Sequence, residues 1–151
     1  MDYNKKLQEV LEEIGVAKKM VLATSIKDIV SARTVSIIYF EGKFYFQTDA
    51  TMDKAKEIAQ NPNVALSFDG VQIRGICKEV GHPLIASNEK FLNLFKEKYS
   101  NAYSKYSHLD NERVFEVTPR YIKVWKYIED TPHIEILDCE NERYNLIKYQ
   151  I

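Results

Sequence analysis

Little in this chain is specialised. Its two cysteines, Cys77 and Cys139, are far apart and form no CxxC. That excludes a disulfide framework and a cysteine-rich zinc site, and fits a reducing cytoplasm. Five glycines and four prolines are too few for linker-rich or disordered architecture. A formal net charge of −1 supplies no global field to draw in nucleic acid or an acidic membrane. Apolar runs such as Ile37–Phe40 are far too short to cross a bilayer. The first fifteen residues are charged throughout, with no apolar signal core, so a cytoplasmic protein is expected.

Catalytic signatures are equally scarce. His82, His108 and His133 stand alone, without HxH or HExxH spacing, so no metal is expected. There is no G-x-S-x-G, no Walker loop and no G-x-G-x-x-G. Without a triad, a metal site or an acid pair, hard chemistry would have to come from a bound cofactor. The ten tyrosines and seven phenylalanines suit a planar aromatic ligand, and suit an ordinary core as well.

What is present is periodicity. Leu7, Val10, Leu11 and Ile14 mark one face of a helix that Gly15 ends. Three strands are predicted next, at Met20–Ile26, Ser31–Tyr39 and Lys43–Thr48, joined by the polar turn KDI and by Glu41-Gly42. A short helix follows, with Thr51 as its N-cap, Ala55, Ile58 and Ala59 inside, and Asn61-Pro62 as its stop. Val64–Phe68 and Val71–Val80 are strands around Asp69-Gly70, and Gly75 marks a bulge or a close approach in the second. Ser87 or Asn88 caps another helix, with Phe91, Leu92, Phe95 and Tyr99 inward; residues 100–112 read as a helical turn and loop. Val114–Val117 and Tyr121–Ile128 are two further strands around Thr118-Pro119. Residues 129–151 hold two short apolar pieces around an acidic turn, consistent with a hairpin extension to a domain spanning 1–128. The expected fold is mainly β, a small antiparallel barrel with peripheral helices.

Two cations stand out. Arg33 shares a strand face with Val35, Ile37 and Tyr39, where an unpaired charge is expensive. Lys54 lies in the first turn of a helix, where the macrodipole opposes a positive charge. A phosphate between them would satisfy both, together with free helix N–H groups and the hydroxyls of Thr48 and Thr51. The alternative is that Arg33 pairs with a local acid and Lys54 bends into water beside Asp53.

In order, the pieces VLAT, SARTVSIIYFEGKFYFQT, DKAKEIAQNPNVALSF, IRGICKEV and FEVTPRYIKVW resemble the FMN-binding split barrel of the pyridoxamine 5′-phosphate oxidase-like family, over roughly residues 16–128. The resemblance implies a cytoplasmic homodimer with FMN at its interface. It implies phosphate contacts from Arg33, Thr48 and Lys54, with Thr51 or Asp53 between, and flavin contacts from the backbone of Thr34, Val35 and Ser36. It implies that Trp125, and Gln72 or Arg74, reach the flavin from the other protomer; the residue-level alternative for Trp125 is a core position. After Trp125 the chain reads KYIEDTPHIEIL and lacks the arginine-leucine-histidine-aspartate-arginine signature with which the true oxidases grip substrate phosphate. The nitroimidazole-resistance-like and general-stress flavoproteins are the nearer likeness. The implied activity is flavin-reductase-like electron transfer between NAD(P)H and a small acceptor; a non-catalytic flavin store or sensor and a haem-binding variant of the barrel are the alternatives.

Overall fold

The computed structural model describes residues 2–150. An amphipathic helix, α1 (Tyr3–Ile14), leads in, capped by Asp2, whose side chain accepts from the Asn4 N–H. It ends at Gly15, where φ is 77°, a value that glycine adopts without a Cβ penalty. A meander of β1 (Ala17–Ile26), β2 (Ile29–Phe40) and β3 (Lys43–Asp49) follows. Its turns, Lys27-Asp28 and Glu41-Gly42, have positive φ throughout, as tight two-residue hairpins require. Helix α2 (Asp53–Gln60) leads to β4 (Asn63–Phe68) and β5 (Val71–Glu79). A 3-10 turn, α3 (Glu89–Lys98) and α4 (Ser100–Tyr106) precede β6 (Glu112–Ile128), and the hairpin β7 (Thr131–Asp138) and β8 (Arg143–Lys148) completes the chain.

The strands form one antiparallel sheet in the order β3-β2-β1-β4-β5-β6-β7-β8, and β3 also pairs with β6. The strands from β3 round to β6 therefore close a ring, and β7–β8 extend it from β6. The fold is mixed α/β and dominated by this antiparallel sheet. Inside the ring lie Met20, Leu22, Ile37, Phe44, Phe46, Leu66, Ile73 and Ile122, each no more than 1% exposed. Each such side chain contributes about 1.5–3 kcal/mol of burial. On the outer side of β2 and β3, Ile38 and Tyr45 pack against Phe91 and Phe95 of α3.

Four local expectations are corrected. Thr118-Pro119 does not separate two strands: β6 runs unbroken for 17 residues. Proline lacks the N–H a ladder needs, but its partner here is Gly75, at the register shift beside Arg74. Arg120 is skipped on the β5 side, and its carbonyl instead accepts from the Cys139 N–H at 2.9 Å. Asn88 stands at the N-cap position of α3 but does not cap it; its amide holds the carbonyls of Val80 and His82 at 3.2 and 2.9 Å. Met52, not Thr51, is the N-cap of α2. Ala59 faces solvent while Ala55 and Ile58 face in.

Gly75 is a close approach, as its position in the strand suggested. A Cβ there would sit 2.6 Å from the Thr118 carbonyl oxygen and 2.7 Å from Val117 Cγ1. Gly75→Ala is expected to cost about 1–3 kcal/mol, read as a lower urea midpoint at unchanged m-value.

Candidate functional site

Because β3 pairs with both β2 and β6, the loop leaving β3 delivers the start of α2 beside Arg33 of β2 and Glu112 of β6. The Arg33 side chain turns inward, as strand alternation predicts, and is 24% exposed. Its Nη1 donates to Thr24 Oγ1 at 2.8 Å and its Nη2 to Glu57 Oε1 at 3.1 Å. Thr24, which is 1% exposed, also donates to Glu57 Oε1 at 3.0 Å. Arg33 therefore has the local acid that was one of its two alternatives. Glu57 went unremarked in the sequence, although it sits between the inward positions Ala55 and Ile58 on α2. Arginine carries five N–H donors, so the pair leaves some unused.

Lys54 differs. It makes no salt bridge among the described residues; its Nζ meets only Met52 Sδ at 3.9 Å. Burial, then the neighbouring Arg33 charge, holds its pKa below the usual lysine value, while Glu112 and Asp49 oppose that shift. No side chain caps α2. The N–H groups of Asp53 and Lys54 have no acceptor among the described residues. Thr51 has both donors engaged: its N–H and hydroxyl donate to Asp49 Oδ1, at 2.7 and 2.6 Å. Those bonds hold the Asp49 carboxyl below its ordinary pKa.

Thr48 and Lys54 line a cavity of about 270 Å³ with Gln47, Asp49, Met52 and Glu112. Thr48 is 6% exposed and lines this cavity. Glu112, 5% exposed, is a second residue that the sequence did not flag. It accepts from Gln47 Nε2 at 2.7 Å, and Gln47 in turn accepts from Ser107 Oγ at 2.8 Å. Burial, with help from Asp49, pushes the Glu112 pKa up; Gln47, Lys54 and His82 pull the other way.

The remaining predicted residues are distributed differently. Val35 is buried inside the ring. Thr34, Val21, Ser67, Gln72 and Lys123 form one lateral row across the outer face of β2, β1, β4, β5 and β6. Ser36 pairs with Lys19 on the same face. Arg74, also facing out, lies over the Tyr121 ring at 4.4 Å. Trp125 is not a core residue: it is 40% exposed, set edge-on to Tyr127 and Tyr149 at the hairpin end of β6. Thr48 and Lys54 thus line one cavity, with the Arg33 charge near enough to bear on Lys54, whereas Gln72 and Trp125 lie on the outer surface. No group of three or more metal-ligating side chains occurs among the described residues. No described helix is long and apolar enough to cross a membrane.

Comparison with known proteins places this geometry in a family. Residues 4–126 match the sequence model described as pyridoxamine 5′-phosphate oxidase. The chain belongs to that family. A pyridoxine/pyridoxamine 5′-phosphate oxidase of Ehrlichia chaffeensis is 38% identical over 73 residues, 47% of this chain but only 37% of that protein. A pyridoxamine 5′-phosphate oxidase-related, FMN-binding protein of Nostoc punctiforme superposes with a TM-score of 0.62 at 13% identity, covering 98% of this chain and 95% of the other. HutZ of Vibrio cholerae, described as a heme storage protein, superposes with a TM-score of 0.67 at 12% identity, covering 86% and 99%. These structural likenesses show the fold.

Replacing Glu57 by Gln strands the inward Arg33 charge. Glu57→Gln is expected to lower stability by about 1–3 kcal/mol in urea unfolding, and added inorganic phosphate is expected to restore part of the loss.

Proposed function

We propose that this chain is an FMN-binding flavoprotein of the split-barrel type, a homodimeric oxidoreductase that passes electrons between NAD(P)H and a small acceptor. One observation carries the reading. Three kinds of donor gather near the start of α2: the Lys54 ammonium, which touches only the Met52 thioether, the cavity-lining Thr48 hydroxyl and the first N–H groups of the helix, which no side chain caps. Such an arrangement suits a terminal phosphoryl group, which accepts several hydrogen bonds and balances the helix dipole. Arg33 stands beside it with donors left over from its contact with Glu57. The residues present therefore fit the phosphate end of FMN.

Bound FMN would supply the redox chemistry that the chain's own side chains lack. The protein's part is to anchor the phosphate through Lys54, Thr48 and Arg33 and to offer the Thr34–Ser36 backbone to the flavin edge. No side chain is required as acid or base for hydride acceptance. The partner subunit is proposed to cover the outer face, where Val21 and Val30 are 42% and 69% exposed and the neighbouring Ala23, Ala32 and Ala65 are small enough for close approach. In that assembly Gln72 and Trp125 would meet the flavin from the second protomer. Two free cysteines, one of them buried, suit a reducing cytoplasm. The missing substrate-phosphate signature after Trp125 argues for an acceptor other than vitamin B6 phosphates.

Purified protein titrated with FMN is expected to bind it at micromolar or lower concentration, with a shifted flavin spectrum; no binding would overturn the reading. Reduction of bound flavin by NADH or NADPH supports turnover, and binding without reduction supports a flavin store. Lys54→Ala should weaken FMN binding about tenfold, and Arg33→Ala with Lys54→Ala about a hundredfold or more, while riboflavin affinity stays nearly unchanged.

A further inference from the structure

The buried acid beside the anion cradle is not used by the reading above. Glu112 is 5% exposed and lines the same cavity as Lys54 and Thr48. It is held in place: Gln47 Nε2 donates to its carboxyl at 2.7 Å, and Ser107 Oγ fixes the other end of the Gln47 amide at 2.8 Å. Its own backbone carbonyl accepts from Arg113 Nη1 at 2.7 Å. A carboxyl clamped this firmly stays in reach of whatever occupies the cavity.

We propose, resting on the flavin reading, that Glu112 is a positioning residue for the phosphate cradle: as a neutral carboxyl it leaves Lys54 to the phosphoryl group, and as a carboxylate it draws the Lys54 ammonium to itself. Three charged or titratable groups bear on Glu112 from the elements around it. Asp49 of β3, its direct cross-strand partner, disfavours a second carboxylate. Lys54 of α2 favours one, and so does His82 in the loop after β5, whose Nε2 lies 2.8 Å from the Leu109 carbonyl oxygen. Burial is the largest influence, Asp49 adds to it, and the balance pushes the Glu112 pKa up.

The sign of the consequence follows. As pH rises through the Glu112 ionisation, the carboxylate forms and competes for Lys54, so FMN binding weakens. The second ionisation of the FMN phosphate works in the opposite direction, but it is identical in every protein variant. A phosphate-free ligand feels neither term, so riboflavin serves as the reference.

The experiment measures FMN and riboflavin affinities by fluorescence quenching from pH 5 to pH 8, for the wild type, Glu112→Gln, Lys54→Met and the double variant. Glu112→Gln is expected to bind FMN roughly three- to tenfold more tightly at the high-pH end, with its advantage over the wild type narrowing as pH falls, and to leave riboflavin unaffected. In the Lys54→Met background the same change should have no effect, because the residue acts through Lys54. In the wild type alone, the FMN-to-riboflavin affinity ratio should rise less with pH than phosphate ionisation by itself dictates, an arm that needs no variant to fold. Identical pH profiles for wild type and Glu112→Gln would overturn the proposal and leave the flavin reading standing. A Glu112 effect that survives in Lys54→Met would overturn it too. Failure of the wild type to bind FMN at any pH would remove the flavin reading and this inference with it.

Discussion

The pairing of β3 with β6 is the constraint on which the candidate site depends. It closes the strand ring and brings the end of β3 against the beginning of β6, with Asp49 directly opposite Glu112. The next residues must then begin α2 over the open end of the ring, where Arg33 points. None of these contacts is local in sequence: Arg33 and Glu57 are 24 residues apart, and Gln47 and Glu112 are 65 apart. A sheet that failed to close would part Gln47 and Asp49 from Glu112.

The charge arrangement at that opening is economical. Arg33 and Glu57 neutralise one another under cover, with Thr24 completing the contact. The surplus cation is Lys54, and it is surplus because α2 begins without a side-chain cap. A serine or aspartate in place of Met52 would have satisfied the same N–H groups from within. Leaving them open costs a little helix stability and, on the proposed reading, keeps a place for the phosphate. Asp49 and Glu112 then limit how much positive potential the cavity carries.

Most of the strand framework was legible in the sequence because alternation is a local property: Phe44 and Phe46, Leu22, Ile37 and Ile73 declare their side of the sheet residue by residue. The turns were legible too, through Glu41-Gly42 and Asp69-Gly70. The strand β6 was not, because proline at position 119 reads as a break until the bulge at Gly75 on the opposing strand is known. Arg33 and Lys54 could be singled out because each sits in a place that disfavours its charge. Their acidic neighbours could not. Glu57 looks like any helix-surface glutamate until Arg33 is seen beneath it, and Glu112 lies in a polar stretch whose burial depends on a partner 65 residues away. Trp125 was open between a core position and one reaching a flavin in the other protomer; strand parity puts it on the outside with Tyr121 and Lys123, and only coordinates show that Tyr127 and Tyr149 gather round it.

The ring has no free border on its β6 side because β7 and β8 extend it, which leaves β8 as the outermost strand. Arg143 and Lys148 stand at its two ends. Another such strand laid antiparallel, with these ends in line, would set arginine against lysine at both, and that repulsion discourages the stacking of copies into fibrils. The hairpin thus confers a measure of colloidal safety on a protein whose outer surface is otherwise rich in exposed aromatic and aliphatic groups.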